Sequence, residues 1–171
     1  MKVAITGSHG LIGSALASSL KADGHEVTRL VRGQASGTNE MAWNPALGTI
    51  DAGALEGHDA VVHLAGVGIG DHRWTDEHKA AVLDSRVQGT RLLTTTLAGL
   101  KRPPAVVASG SAVGFYGDRG DEELTEDSRP GTGFLADVVQ KWEASAAPAT
   151  EAGIRVAYLR TGVVQSADGG A

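Results

Sequence analysis

The stretch Thr6-Gly7-Ser8-His9-Gly10-Leu11-Ile12-Gly13 sets three glycines three residues apart, between a short apolar run and a segment of helical period. Such a turn, where a strand gives way to a helix, offers free backbone N–H groups and the positive end of the helix dipole to a diphosphate, which is how dinucleotides are held. Gly7 permits the tight turn, Gly10 keeps a Cβ away from the phosphates, and Gly13 lets the helix pack closely on the sheet. The spacing is G-x-x-G-x-x-G rather than G-x-G-x-x-G. A purely structural glycine-rich turn is the alternative. An acidic residue about 20 positions beyond such a loop clasps ribose hydroxyls, whereas an arginine accommodates a 2′-phosphate. Here the second apolar run ends in Arg32, with no Asp or Glu at that end. A guanidinium suits a phosphate dianion through paired hydrogen bonds, so NADP(H) is expected over NAD(H). A solvated surface arginine is the other reading, and Arg29 is set aside because it lies inside the strand.

These residues need strands and helices to position them, and the chain alternates the two. Residues 3–6 read as a strand. A helix follows over 11–23, with Ile12, Leu16 and Leu20 on one face and Gly24 closing its end. Residues 26–31 and 40–43 read as strands separated by a loop, the second ended by Asn44-Pro45. The stretch from 46 to 58 carries no clear period. A buried-type strand starts at 59 and runs into a glycine-rich loop over 66–70. A long helix over 75–100 is capped by Thr75 or Asp76 and barred from continuing by Pro103-Pro104. A strand over 105–108, a long loop over 109–132, a helix over 134–152 that Pro148 kinks or shortens, and a strand over 154–160 complete the pattern. Residues 165–171 read as a Gly/Ala/Ser tail that caps nothing. Alternation with continuous apolar strands predicts a doubly wound α/β fold: a parallel sheet, covered on both faces and joined by right-handed crossovers.

The composition fits this picture. At 171 residues and 17.5 kDa there is room for one domain. With 42% hydrophobic and 20% charged residues the chain is globular rather than disordered or fibrous. Lys+Arg 15 against Asp+Glu 20 leaves a net charge of −5, and no basic run is present, which argues against a nucleic-acid or anionic-membrane surface. No stretch approaches the ~20 apolar residues of a membrane span. The N-terminus runs straight into a strand, without the apolar core or cleavage box of a signal peptide. Cysteine is absent, so no disulfide framework or thiol nucleophile exists and a reducing compartment is permitted. The expected location is the cytoplasm and the expected partner a small molecule, with homo-oligomerisation left open.

The marks Thr6-Gly7-x-x-Gly10-x-x-Gly13, His63-Leu64-Ala65-Gly66, Val87-x-Gly89-Thr90, Ser111 to Gly117 and Arg160-Thr161-Gly162 together resemble the extended short-chain dehydrogenase/reductase family, which holds nucleotide-sugar epimerases and dehydratases. Trp43-Asn44-Pro45, Asp71-His72-Arg73-Trp74, Asp84-Ser85-Arg86-Val87, Tyr116-Gly117-Asp118 and Phe134-Leu135-Ala136-Asp137 with Trp142-Glu143 resemble an atypical branch of it, whose members carry the label nucleoside-diphosphate-sugar epimerase without an established substrate. The resemblance covers nearly the whole chain. It implies a Rossmann fold over 1–171, an N-terminal cofactor-binding part of a longer protein whose C-terminal substrate lobe is lacking. It also implies cofactor contacts at Gly7, Ser8, His9, Gly10, Leu11, Ile12, Gly13 and Arg32, at Leu64, Ala65 and Gly66, and at Ser109 and Thr161.

The family's ordinary chemistry uses a Tyr-x-x-x-Lys pair on one helix face, where the ammonium lowers the tyrosine pKa for proton exchange with the substrate hydroxyl. That pair is missing. Aligning Glu143 with the family's downstream glutamate puts Leu135 and Val139 in its place. Ser111, read as following the fifth strand, resembles the family's hydroxyl-orienting serine, although an ungapped alignment puts Ala112 there. Tyr116 is a substitute acid or a buried structural tyrosine. Arg86 stands where the family often has asparagine. Asp137 and Lys141, four apart, read as a solvated pair. Six histidines lack metal-ligand spacing; His63 reads as ending a buried strand. Trp74 is a core anchor or part of a lid, and Arg119-Gly120-Asp121 a charged turn. Two functions remain: an NADP(H)-dependent epimerase or oxidoreductase acting on a nucleotide sugar, with Ser111 and Tyr116 as candidate catalytic residues, or a non-catalytic NADP(H)-binding redox sensor or assembly partner.

Overall fold

The short apolar runs of the chain are too brief to bury themselves alone and pair into one sheet, which helices then cover. The computed structural model describes residues 1–167 and 169–170. Among these described residues seven strands form the main sheet: β1 (Lys2–Thr6), β2 (Glu26–Arg32), β3 (Glu40–Asn44), β4 (Thr49–Ile50), β5 (Ala60–His63), β6 (Val106–Ala112) and β7 (Arg155–Thr161). Their order is β4-β3-β2-β1-β5-β6-β7. The order reverses between β1 and β5, so the crevice beyond their carboxyl ends lies at the topological switch point, where ligands bind in open α/β sheets. Among the described residues five helices accompany the sheet: α1 (Leu11–Ala22), α2 (Ala52–Leu55), α3 (Asp76–Ala98), α4 (Phe134–Ala144) and α5 (Ala147–Glu151).

All pairings from β3 to β7 are parallel. The doubly wound expectation holds, with one correction. β4 runs antiparallel to β3, because the 3₁₀ turn Pro45–Leu47 ends on Gly48 at φ +65°, and the chain doubles back there. That turn, β4 and α2 fill the stretch that lacks a period in the sequence; elements this short give none. Asn44 accepts from the N–H groups of Ala46 and Leu47 and fixes the turn's start.

Coverage is uneven between the faces. One core joins Ala4, Leu30, Trp43, Val61 and Val107 of the sheet to Leu93 and Leu97 of α3 and Ala149 of α5. The opposite core joins Val3, Ile5 and Val27 to Ala17 of α1, with Ala60 and Val62 of β5 packed against it. Leu159 of β7 alternates with Tyr158 and Arg160, which reach α4, and it remains 42% exposed.

Three boundaries also differ from the sequence expectation. β6 extends through Ser109, Gly110 and Ser111 to Ala112, because β7 supplies a partner along all of a segment whose small polar residues look like a loop, while β5 reaches it only at Ser109. The helix expected over 134–152 is two helices: α4 ends at Ala144, and Pro148 sits in the first turn of α5, where its missing N–H costs nothing. Residues 165–171, expected as a plain tail, include a two-residue ladder of β8 (Gln165–Ser166) with β9 (Gly169–Gly170); Asp168 and Ala171 lie outside the described residues.

Candidate functional site

The glycine turn between β1 and α1 is built by close backbone contacts. Gly7 has φ +66°, and a Cβ there would lie 2.7 Å from the carbonyl carbon of Leu64. A Cβ on Gly13 would overlap the carbonyl oxygen of Gly7 and lie 2.9 Å from Ser8 Cα. Gly13 thus lets the helix lie directly against the turn that ends β1. Gly10 differs: a Cβ there would meet only the Gly7 oxygen, at 3.4 Å. The fold needs bare backbone at Gly7 and Gly13, while Gly10 leaves an open strip of main chain. Gly10 also caps α1 without any side-chain hydrogen bond, and the first turn has no acidic residue. The N–H groups of Leu11, Ile12 and Gly13 therefore have no intrahelical acceptor and point at whatever lies on the turn. Ser8 Oγ is buried without a partner, and Ile12 is 41% exposed beside it.

Beyond β5, Leu64 and Ala65 lie against Gly7, held there by a buried relay. Thr6 Oγ1 accepts from the N–H groups of Leu64 and Ala65, at 3.1 and 3.2 Å. Its own proton then goes to His63 Nδ1 at 2.7 Å, and His63 Nε2–H donates to Thr90 Oγ1 on α3 at 2.9 Å. His63 is fully buried, edge-on to Trp43, and burial pulls its pKa down to about 4. The sequence places His63 correctly as the end of a buried strand but does not reveal the relay.

Arg32 is exposed at the carboxyl end of β2 and Arg29 is half-buried three residues earlier. Arg29 pairs with Glu40 across β2 and β3. Ser36 N–H and Oγ hydrogen bonds hold Glu40 below the usual carboxylate range, helped by the charges of His9 and Arg29.

The candidate catalytic residues, Ser111 of β6 and Tyr116 of the 3₁₀ turn Val113–Tyr116 that follows it, are joined in a second cluster through Glu143 of α4 and Arg160 of β7. Ser111 lies within β6, not after it; it is buried and donates to Glu143 Oε1 at 2.6 Å. Arg160, paired with Ser111 across β6 and β7, donates from Nε and Nη2 to the two oxygens of Glu143, each at 2.9 Å. Its Nη1 donates to the Tyr116 hydroxyl at 2.9 Å, and its guanidinium covers the Phe115 ring at 3.6 Å. The Glu143 and Tyr116 hydrogen bonds hold the Arg160 pKa above its ordinary value. Thr161 Oγ1 donates to the Ser111 carbonyl, and Ser109 is buried with its hydroxyl on the Gly110 carbonyl. Beside this cluster lies a cleft of about 390 Å³ lined by Tyr116, Tyr158, Arg160 and Glu126 among others. Leu135 and Val139 face the turn at Gly114, so that face of α4 is apolar. The Arg160 network is the feature the sequence reading missed; only the β6–β7 register reveals it.

Between the two regions lies Arg86, whose guanidinium stacks on Trp142, 5.1 Å from the ring. The segment before α3 is tied down by the Trp74 Nε1–H bond to the Ile69 carbonyl and the Trp74–Phe134 ring contact; Trp74 remains 47% exposed, a surface anchor rather than a core one. Asp137 and Lys141 are both exposed, and Arg119 pairs with Glu122. Among the described residues no group of three or more His, Asp or Glu could hold a metal ion, and no helix is long and apolar enough to cross a membrane.

The model of the NAD dependent epimerase/dehydratase family matches residues 3–168. The chain belongs to that family. Among its relatives, an epimerase family protein of Mycobacterium leprae is 44% identical over 98% of this chain and 54% of its own length. Epimerase family protein SDR39U1 of Homo sapiens is 34% identical over 100% of this chain and 57% of its own. The chain thus spans about half the length of these relatives. Among solved structures, a nucleoside-diphosphate sugar epimerase from Corynebacterium glutamicum superposes with TM-score 0.87 at 46% identity, over 99% of this chain and 35% of that one. Human SDR39U1, crystallised with NADPH, superposes equally well, at 0.87 and 34% identity over 100% of this chain and 57% of that one.

Proposed function

We propose that this chain is the dinucleotide-binding part of a longer epimerase- or oxidoreductase-like protein, that it prefers NADP(H), and that its substrate is a nucleotide sugar. The observation that carries the reading is the open backbone strip at Gly10 beside the free N–H groups of the first helical turn. A diphosphate laid there meets donors from Leu11, Ile12 and Gly13 and satisfies Ser8 Oγ. Gly7 and His9 shape the turn, Leu64, Ala65 and Gly66 wall its far side, and Arg32 takes the 2′-phosphate. Ser109 and Thr161 mark the path toward β6 and β7. The NADPH in human SDR39U1 supports the coenzyme class.

When bound, the nicotinamide would supply or accept a hydride. The residues beside it handle protons. Tyr116 accepts from Arg160, which leaves the phenol's own proton free to be given to a group in the cleft. Ser111 spends its hydroxyl on Glu143. It acts through that carboxylate, keeping Arg160 on the Tyr116 oxygen. NADPH absorbance followed with candidate sugar nucleotides tests this: Tyr116→Phe should abolish turnover while NADPH still binds, and Ser111→Ala should reduce it. Unchanged turnover in both variants removes these residues from the mechanism.

One observation favours a second reading. The α4 face where the family carries its tyrosine and lysine presents Leu135 and Val139. A coenzyme-binding sensor without turnover would show NADPH binding and no isotope exchange at the nicotinamide C4. Detectable exchange contradicts it.

A further inference from the structure

Arg86 is a cation without a counter-charge, fixed in place before any ligand arrives. It lies on α3, and its Nη1 donates to the Val67 carbonyl at 2.9 Å and the Val82 carbonyl at 3.0 Å, which occupies both protons of that nitrogen. Trp142 covers one face of the guanidinium. The loop leaving β5 lies against it: a Cβ on Gly66 would be 3.3 Å from Arg86 Cζ. Among the described residues no carboxylate comes within 4.0 Å of the group, and neither Nε nor Nη2 has a hydrogen-bond partner. Neither nitrogen is sealed off from solvent. Burial pulls the Arg86 pKa below its ordinary value, as expected for a charge partly removed from water and left unpaired.

These contacts leave one edge of the guanidinium uncommitted. Nε–H and one Nη2–H point the same way, as in any guanidinium, and match two oxygens of a carboxylate or a phosphate. We propose that Arg86 is the anion receptor of the site, taking side-on an oxyanion group, carboxylate or phosphate, that belongs to the substrate. The proposal rests on the coenzyme-site reading above, because Gly66 links Arg86 to the wall of the glycine turn, and it adds the charge of the substrate. Arg86 is pinned and stacked already, so binding freezes little further side-chain motion.

The test uses the purified chain labelled with ¹⁵N-arginine, with and without NADPH. The Arg86 Nε–H signal is assigned by its loss in Arg86→Lys. Inorganic phosphate and malonate are titrated separately, with sodium chloride at matched ionic strength as the reference. A saturable shift of the Arg86 signal is expected with at least one of them, phosphate alone marking a phosphate and malonate alone a carboxylate. Arg86→Gln should weaken binding of that probe by about tenfold or more while NADPH affinity changes by less than about twofold. No saturable shift with either probe overturns the proposal. An equal loss of NADPH affinity in Arg86→Gln also overturns it, since the anion would then be the coenzyme's own phosphate. A wild-type chain that binds the probe but not NADPH supports the anion site and contradicts only the coenzyme reading. The wild-type titration stands whether or not Arg86→Gln folds.

Discussion

Gly13 sits so close to Gly7 that a methyl group on it would overlap the carbonyl oxygen of Gly7, whereas a methyl on Gly10 clears that oxygen at 3.4 Å. The first and third glycines therefore serve the fold, and the middle one leaves the main chain open. Gly13→Ala should cost about 2 to 3 kcal/mol in urea unfolding, because two stretches of backbone must part. Gly10→Ala should cost about 1 kcal/mol or less as a capping change, yet weaken NADPH by about tenfold or more. Equal effects on stability would contradict this division.

Arg32 tests the choice of coenzyme. Arg32→Ala should weaken NADPH by about 1.5 to 3 kcal/mol, roughly 10- to 150-fold, and leave NADH nearly unchanged. Parallel titrations of the two coenzymes read this directly. Equal losses would mean that another residue, with Arg29 the nearest cation along β2, carries the phosphate.

His63 makes stability depend on pH. Its pKa is about 4 in the fold against about 6.5 free, so between those values the unfolded chain binds more protons and stability rises with pH. The contribution is complete above about pH 6.5 and gone by about pH 4, on the order of 3 kcal/mol in all. Unfolding free energy at pH 7.5 should exceed that at pH 5, and His63→Gln should flatten the slope. An imidazole titrating near 6.5 by NMR in the folded chain would contradict it.

Glu143 and Arg160 are a partly buried pair with side chains 11% and 18% exposed. Glu143→Gln leaves Arg160 without its counter-charge and should destabilise by about 3 kcal/mol. It should also loosen Arg160 from Tyr116, so residual turnover should fall further than Ser111→Ala alone lowers it. A stable, fully active Glu143→Gln protein would make this pair a bystander.

How much of this is legible in the chain follows from the range of each interaction. The glycine turn shows itself because its strand, glycines and helix are contiguous, and α3 because Thr75 caps it and Pro103-Pro104 bars its continuation. The Ser111–Glu143–Arg160 network is hidden because its members lie 32 and 17 residues apart and meet only through the β6–β7 register. β6 is read short because Ser109-Gly110-Ser111 has loop composition, and only its pairing with β7 along that stretch makes it extended. Arg86 shows in the sequence as a departure from the family pattern, but its unpaired edge depends on two carbonyls and Trp142, which the fold brings together.

The central claim, that the bare backbone at Gly10 receives a coenzyme diphosphate, is tested most directly by calorimetric titration of the purified chain with NADPH. Saturable one-to-one binding that Gly10→Ala largely removes, in a variant that still unfolds cooperatively, is the expected result. Heats no larger than dilution for the wild-type chain, or equal affinity in the wild type and Gly10→Ala, would contradict it.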